Sequence, residues 1–325
     1  MTPPGRSVHT QALLMLVLAT FLWALSFPLV KALALAHQQV LPASSTWFIT
    51  AGSIAPRFLL GSVVLLLVLG RRLRSFTRLE LKQGVLIGLT LGAGMLFQND
   101  GLQFTSATTS AFLTQIYAIM IPVWIAWRQR RWPPAIVLAC CALVLPGVAI
   151  LGRFDFRALH LGRGEVETLV SAVFFMMQIF LLERKEFAAN RALPVTLVMF
   201  ATQALLFTGM ALGTAPTPAD VLVPWTAGPW LGLTALLTVF STLGAFTLMI
   251  KWQPKIPATE AGLIYCVEPV FTAVLVLFLP AWFSAWGGFD YANERVTWHL
   301  LAGGGLITAA NVLILLKPLA RPPAG

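Results

Sequence analysis

The sequence predicts an all-α integral membrane protein of ten transmembrane helices. Three observations carry this: apolar runs that recur along the chain, too few charges to cover a water-facing surface, and basic residues gathered on alternate loops. Of 325 residues, 58% are hydrophobic and 10% charged, with mean hydropathy +0.82. A soluble domain is about a quarter charged, and a helix needs about 20 apolar residues to cross roughly 30 Å of hydrocarbon. In a soluble domain the net charge of +10 would point to nucleic acid. Here the basic residues stand in short clusters between apolar runs, so the expected partner is the lipid bilayer and nucleic acid is excluded. The expected location is a cell membrane, a bacterial inner membrane by preference.

The first segment, 10–36, begins with an apolar stretch from Ala12 to Leu29. That is longer than the core of a signal peptide, so it is read as a spanning helix rather than a cleaved leader. Segment 2 covers 46–70. Segments 3 and 4, 83–104 and 105–128, are divided by a turn at Asn99, Asp100, Gly101 and Gln103, without which one run would far exceed a single crossing. Segment 5 covers 133–152, segment 6 covers 164–184, and segment 7 covers 193–213. Segments 8, 9 and 10 cover 229–253, 258–281 and 298–317. Trp132, Trp225, Trp230, Trp282, Trp286 and Trp298 fall at predicted helix ends, where indole sits half in lipid and half in water. Cys140, Cys141 and Cys266 lie inside apolar runs without zinc-ligand spacing, so free thiols and no metal or other cofactor are expected.

Loop charge tests this map. With the N-terminus inside, the inner loops hold Arg6, Arg71, Arg72, Arg74, Arg78, Lys82, Arg128, Arg130, Arg131, Arg184, Lys185, Arg191, Lys251, Lys255, Lys317 and Arg321. The outer loops hold only Arg153, Arg157, Arg163 and Arg295. One missed crossing would invert every later loop, so the asymmetry places both termini in the cytoplasm. The stretch 71–82 alternates arginines with Leu73, Phe76 and Leu79, which suits either a helix lying on the inner surface or a solvated loop.

Ten helices divide into two fives, 10–152 and 164–317. Because five is odd, a duplicated unit must enter the membrane in opposite orientations. Shifting the chain by 151 residues lays Ala107-Thr108 on Ala258-Thr259, at the starts of segments 4 and 9. Pro122 and Pro269 then interrupt corresponding helices, which is either a structural kink or a pointer to a binding site.

Ionisable groups inside the membrane are costly, so each needs an explanation. Arg57 and Glu268 lie at mid-depth in segments 2 and 9. They are expected to pair, either as a fixed bridge or as one that substrate or proton opens. Lys31 is expected to snorkel to the outer headgroups, and Asp100 to be solvated at the outer turn. Gln98 and Asn99 on segment 3, Gln115 and Tyr117 on segment 4, Gln178 on segment 6, Gln203 on segment 7, Tyr265 on segment 9 and Asn311 on segment 10 must face protein or a wet cavity. Trp23 and Phe27, one turn apart, suit an aromatic wall or ordinary packing. The candidate substrate-binding set is therefore Trp23, Phe27, Arg57, Gln98, Asn99, Gln115, Tyr117, Gln178, Tyr265 and Glu268.

Catalysis has little support. His9, His37, His160 and His299 are placed outside the membrane interior, and no glycine-rich phosphate loop or reactive dyad is legible. The chain is read as a transporter rather than an enzyme. A passive channel is the alternative, and an intramembrane lipid-modifying enzyme a weaker one.

These residues resemble the drug/metabolite transporter superfamily in its ten-helix EamA-type branch. The resemblance rests on Gly101-Leu102-Gln103-Phe104-Thr105-Ser106-Ala107 followed by Ala111-Phe112-Leu113-Thr114, on Arg57-Phe58-Leu59, on Glu268-Pro269-Val270, and on Trp23 with Phe27. It spans about 12–317. It implies helices packed around a central cavity, segments 5 and 10 at the periphery with a homodimer contact there, and export or exchange of small metabolites such as amino acids. A glycine–glutamate step that the family often carries after its ninth helix is replaced here by Leu279-Pro280-Ala281-Trp282, with Glu294 at best a distant stand-in for that acid.

Overall fold

The computed structural model describes residues 6–70, 76–151 and 162–316. Arg71, Arg72, Arg74, Arg153, Arg157, His160, Lys317 and Arg321 lie outside the described residues, as does the side chain of Asn311. Among the described residues all regular structure is helical.

Segment 1 is two helices, α1 (Arg6–Ala24) and α2 (Ser26–Val40). The break follows from Pro28, which offers no N–H to the carbonyl four residues earlier. That carbonyl, on Ala24, is approached by the Thr272 hydroxyl at 3.5 Å, and the neighbouring Leu22 carbonyl accepts from Ser241 at 2.9 Å. Backbone groups freed inside a membrane need such partners.

Segment 2 is α3 (Thr46–Leu69), capped by the Ser45 hydroxyl. Segment 3 is α4 (Arg78–Gly101), which starts five residues before the expected 83. Thr77 and Glu80 form a reciprocal capping box, so Arg78 and Lys82 belong to its first turns rather than to a loop. Arg191 extends this cap, donating from Nε to Glu80 at 2.7 Å and from Nη2 at 2.9 Å. The same contact with Glu80 raises the Arg191 pKa above its ordinary value.

Segment 4 is α5 (Ala107–Thr114) and α6 (Tyr117–Gln129). Segment 5 is α7 (Ala135–Leu151), segment 6 is α8 (Arg163–Glu183), and segment 7 is α9 (Ala192–Thr214). Segment 8 runs through α10 (Gly228–Leu236), a ten-residue π-helical stretch (Leu237–Phe246) and α11 (Thr247–Trp252). Segment 9, expected to be continuous over 258–281, is α12 (Ala258–Tyr265) and α13 (Glu268–Leu275). Pro280 opens a separate short helix, α14 (Leu279–Gly287). Segment 10 is α15 (Trp298–Leu316).

Eight helical spans among the described residues are long and apolar enough to cross a membrane. The apolar stretches Ala135–Gly147 and Leu301–Ala310, on α7 and α15, are shorter. The chain is therefore a multi-pass helical membrane protein by length and composition.

Helix neighbours follow from small residues. α4 packs along α8 and α9, α3 along α9, and α7 along α15. On α4, Gly84 and Gly88 are a turn apart, and a β-carbon on either would come within 2.5 Å of Val198 or 2.7 Å of Thr202. Such close approach is how membrane helices gain dispersion contact without a hydrophobic driving force. α1 lies against the π stretch, α12 and α13, while α5 and α6 lie against α8, α13 and α12.

Most expected interfacial tryptophans are exposed: Trp132, Trp282, Trp286 and Trp298 present large apolar area at helix ends. Trp230 is an exception, fully buried and stacked obliquely on Trp225 with centroids 5.5 Å apart. The three cysteines are free.

Candidate functional site

Two of the broken segments, 4 and 9, pack against each other, α5 on α13 and α6 on α12. In segment 4 the helix tightens at Gln115 and Ile116, whose N–H groups bond three residues back to Phe112 and Leu113. In segment 9, Cys266 and Val267 do the same to Leu263 and Ile264. A switch to i→i−3 bonding in mid-helix is a local 3₁₀ constriction, common at functional hinges. Pro269, in the first turn of α13, explains the second break directly. Pro122 does not explain the first. It lies inside α6, after the break, so the expectation that both prolines mark the breaks holds for one of them.

Around these breaks lies a cavity lined by aromatic, amide and ionisable side chains. Of the ten residues the sequence singles out, nine line it: Trp23, Phe27, Arg57, Gln98, Asn99, Tyr117, Gln178, Tyr265 and Glu268. Gln115 stands behind the wall, fully buried, and donates its amide to Glu268 Oε2 at 2.8 Å. The sequence reasoning missed the remaining lining residues, among them Ser26, Thr114, Met95, Phe175, Ser241 and Phe246. A lone phenylalanine or serine in an apolar run carries no signal of which face it occupies.

The aromatic wall has a definite shape. Trp23 meets Tyr265 edge-on at 5.3 Å and Phe246 at the same distance. Tyr265 is held from behind by donating its hydroxyl to Gln253 at 2.8 Å. Thr114 accepts from Gln98 at 2.9 Å and donates to the Ser110 carbonyl.

Arg57 and Glu268 are 3% and 7% exposed and share the cavity. The expected ion pair between them is not formed. Glu268 takes its hydrogen bond from Gln115, while Arg57 Nη2 contacts the Met95 sulfur at 3.6 Å and its guanidinium lies 5.3 Å from the Phe58 ring centre. Two opposite charges at similar depth on different helices need not point at each other, and depth was all the sequence supplied.

Other expectations fall for related reasons. Lys31, half-buried, donates to the Thr105 carbonyl at 2.8 Å, tying α2 to the turn before α5. Asp100 is not solvated. It is fully buried and bonded to Arg163, which also grips Glu167 at 2.8 Å and stacks over Phe104 at 4.4 Å. Arg163 is far along the chain, so only the fold brings it over that turn. His37 is buried beneath Phe48 with ring centres 5.1 Å apart. His9 contacts Glu260, a fully buried acid in the first turn of α12 that the sequence reading overlooked, at 3.2 Å. Glu294 returns from the loop between α14 and α15 to accept from Thr108 at 2.7 Å, with its own N–H on the Val276 carbonyl.

No family model matches the chain. An uncharacterized transporter from Archaeoglobus fulgidus is 23% identical over 262 residues, covering 79% of this chain and 74% of its own. A protein crystal structure, 20% identical, matches the fold with a TM-score of 0.61 over 96% of this chain and 100% of that one. The chain is thus similar in sequence to a transporter and shares its helical architecture with a solved protein.

Proposed function

We propose that this chain is a secondary transporter that exports or exchanges a small polar metabolite such as an amino acid, working by alternating access around the central cavity. In this reading it is an EamA-type member of the drug/metabolite transporter superfamily. Its ten spans leave both termini cytoplasmic and form two inverted repeats, 10–152 and 164–317. The observation that carries the proposal is the position of the two breaks. α5 and α12 are each eight residues long, and their bounds, Ala107–Thr114 and Ala258–Tyr265, stand 151 positions apart. Tyr117 and Glu268, each opening the helix beyond its break, stand the same distance apart and line the same cavity. Discontinuous helices at matched places in two halves are a hallmark of transporter binding sites.

The neighbour pattern supports the same symmetry. Exchanging every segment with the one five places along maps the main contacts onto themselves. Segments 2 and 7, 4 and 9, and 5 and 10 pair directly, and the contact of segments 3 and 6 becomes that of 8 and 1. Substrate enters when one half rocks against the other. Glu268, released from Gln115, is then the group that takes a proton or a substrate ammonium.

The test is counterflow in proteoliposomes of the purified protein, with amino acids as the first panel. Saturable exchange that falls in Glu268→Gln and Tyr117→Ala supports the proposal. Flux that rises linearly without saturation marks a pore and overturns it.

A further inference from the structure

The polar atoms around the cavity divide unevenly between those with partners and those without. The hydroxyls and amides of Thr114, Gln98, Ser241 and Tyr265 are engaged, and so is Glu268 Oε2. The buried lining atoms with no hydrogen-bond partner are Trp23 Nε1, Arg57 Nε, Arg57 Nη1 and Asn99 Nδ2. All four are donors. The remaining guanidinium nitrogen has only a thioether sulfur at 3.6 Å, a weak acceptor.

Burying donors without partners is costly, and burying an uncompensated charge more so. Phe58 offsets part of the Arg57 charge by facing it with a ring, but a ring does not meet two N–H groups in the guanidinium plane. Among the described residues that line the cavity the only carboxylate is Glu268, and it is turned to Gln115. What the site lacks is an acceptor with negative charge. An ammonium would add donors to a place already holding four unmet ones, and an uncharged amide would bring an acceptor without the negative charge.

We infer that Arg57 is the anchor for a carboxylate on the transported substrate, with Asn99 and the Trp23 indole as flanking donors. This rests on the transporter reading above and names the group its substrate must carry. The planar fork of an arginine matches the two oxygens of a carboxylate, a fit that lysine does not reproduce. The aromatic wall of Trp23, Tyr265 and Phe246 then takes the rest of the molecule.

Three probes that share a phenyl ring separate the charge requirement from shape: benzoate, its planar isostere benzamide, and the cation benzylamine. Each is titrated calorimetrically into the full-length protein in detergent, and thermal unfolding is followed alongside. Benzoate is expected to bind about 10- to 100-fold more tightly than benzamide, the range that one hydrogen bond to a charged group supplies. Arg57→Gln brings the two to parity, Arg57→Lys keeps part of the preference, and Trp23→Phe lowers the benzoate-to-benzamide ratio several-fold. The inference is overturned if benzoate does not bind, if benzamide or benzylamine binds as well, or if Arg57→Gln retains the preference. Counterflow is read separately. Saturable exchange without benzoate preference sinks the carboxylate anchor alone, and benzoate preference without any saturable exchange sinks the transporter reading alone.

Discussion

The side-chain amide of Gln115 donates to the carboxylate of Glu268 at 2.8 Å, so the constriction in segment 4 is tied to the one in segment 9. Both residues are buried. Gln115 caps α5 and Glu268 opens α13. The bond therefore joins two places where the helices tighten to i→i−3 bonding.

Removing the amide strands the carboxylate. Gln115→Leu is expected to destabilise the protein by about 1–3 kcal/mol, the cost of leaving a buried acceptor unmet. Combining it with Glu268→Gln should recover much of the loss, because the charge is then gone. Thermal unfolding of the single and double variants in detergent reads this. Equal losses for Gln115→Leu with and without Glu268→Gln would show that the bond contributes nothing.

Arg57 behaves in the opposite sense. A guanidinium in a fixed bridge would destabilise the protein on removal, but here it has no carboxylate partner within ion-pair reach among the described residues. Arg57→Met should leave the unfolding midpoint unchanged or raise it, since replacing buried charge by an apolar side chain of similar volume often stabilises by about 1–4 kcal/mol. Saturable exchange should disappear at the same time. A midpoint that drops by several degrees would restore the bridge.

The α4–α9 contact is set by the absence of side chains. A β-carbon at Gly84 would lie 2.5 Å from Val198 Cβ and 3.0 Å from the Val195 carbonyl. Gly84→Val should therefore cost about 1–3 kcal/mol or more, the usual penalty of overpacking. Gly209→Val on α9, where a β-carbon meets nothing within 4 Å, is the control and should have little effect. Paired melts of the two variants decide the matter.

Topology is open to direct labelling. Lys82 contacts Glu186 at 3.2 Å, and Lys82 with Arg184 holds the Glu186 carboxyl below its ordinary pKa. The start of α4 and the turn after α8 must therefore share a face. Single cysteines at Arg78 and Lys185, in a variant lacking Cys140, Cys141 and Cys266, should react with an impermeant maleimide only from the cytoplasmic side. Cysteines at Asp220 and Asn293 should react only from the other side. Labelling of Arg78 and Lys185 positions from opposite faces would break the proposed insertion.

Much of the helical layout was legible because it depends on local properties. The spans 46–70, 164–184 and 193–213 differ from α3, α8 and α9 by at most one residue at either end, since apolar runs and polar turns fix them without reference to neighbours. The start of α4 was also available, in Thr77-Arg78-Leu79-Glu80, but the basic residues nearby drew the boundary inward. The shift of 151 was visible in Ala107-Thr108 and Ala258-Thr259, whereas the breaks it aligns were not. Gln115–Ile116 and Cys266–Val267 have no shared sequence signal.

The sequence by itself determined that lipid is the solvent, roughly where each helix lies, and which polar side chains needed partners. Those follow from hydropathy and from the cost of a buried polar group, which act on each residue alone. Only the tertiary structure decided the partners. Depth along a helix says nothing of rotation about its axis, so the turn of Glu268 towards Gln115, of Asp100 towards Arg163 and of Lys31 towards the Thr105 carbonyl had to come from packing. Arg57 was left over by the same rotations, a charge with donors to spare beside the cavity.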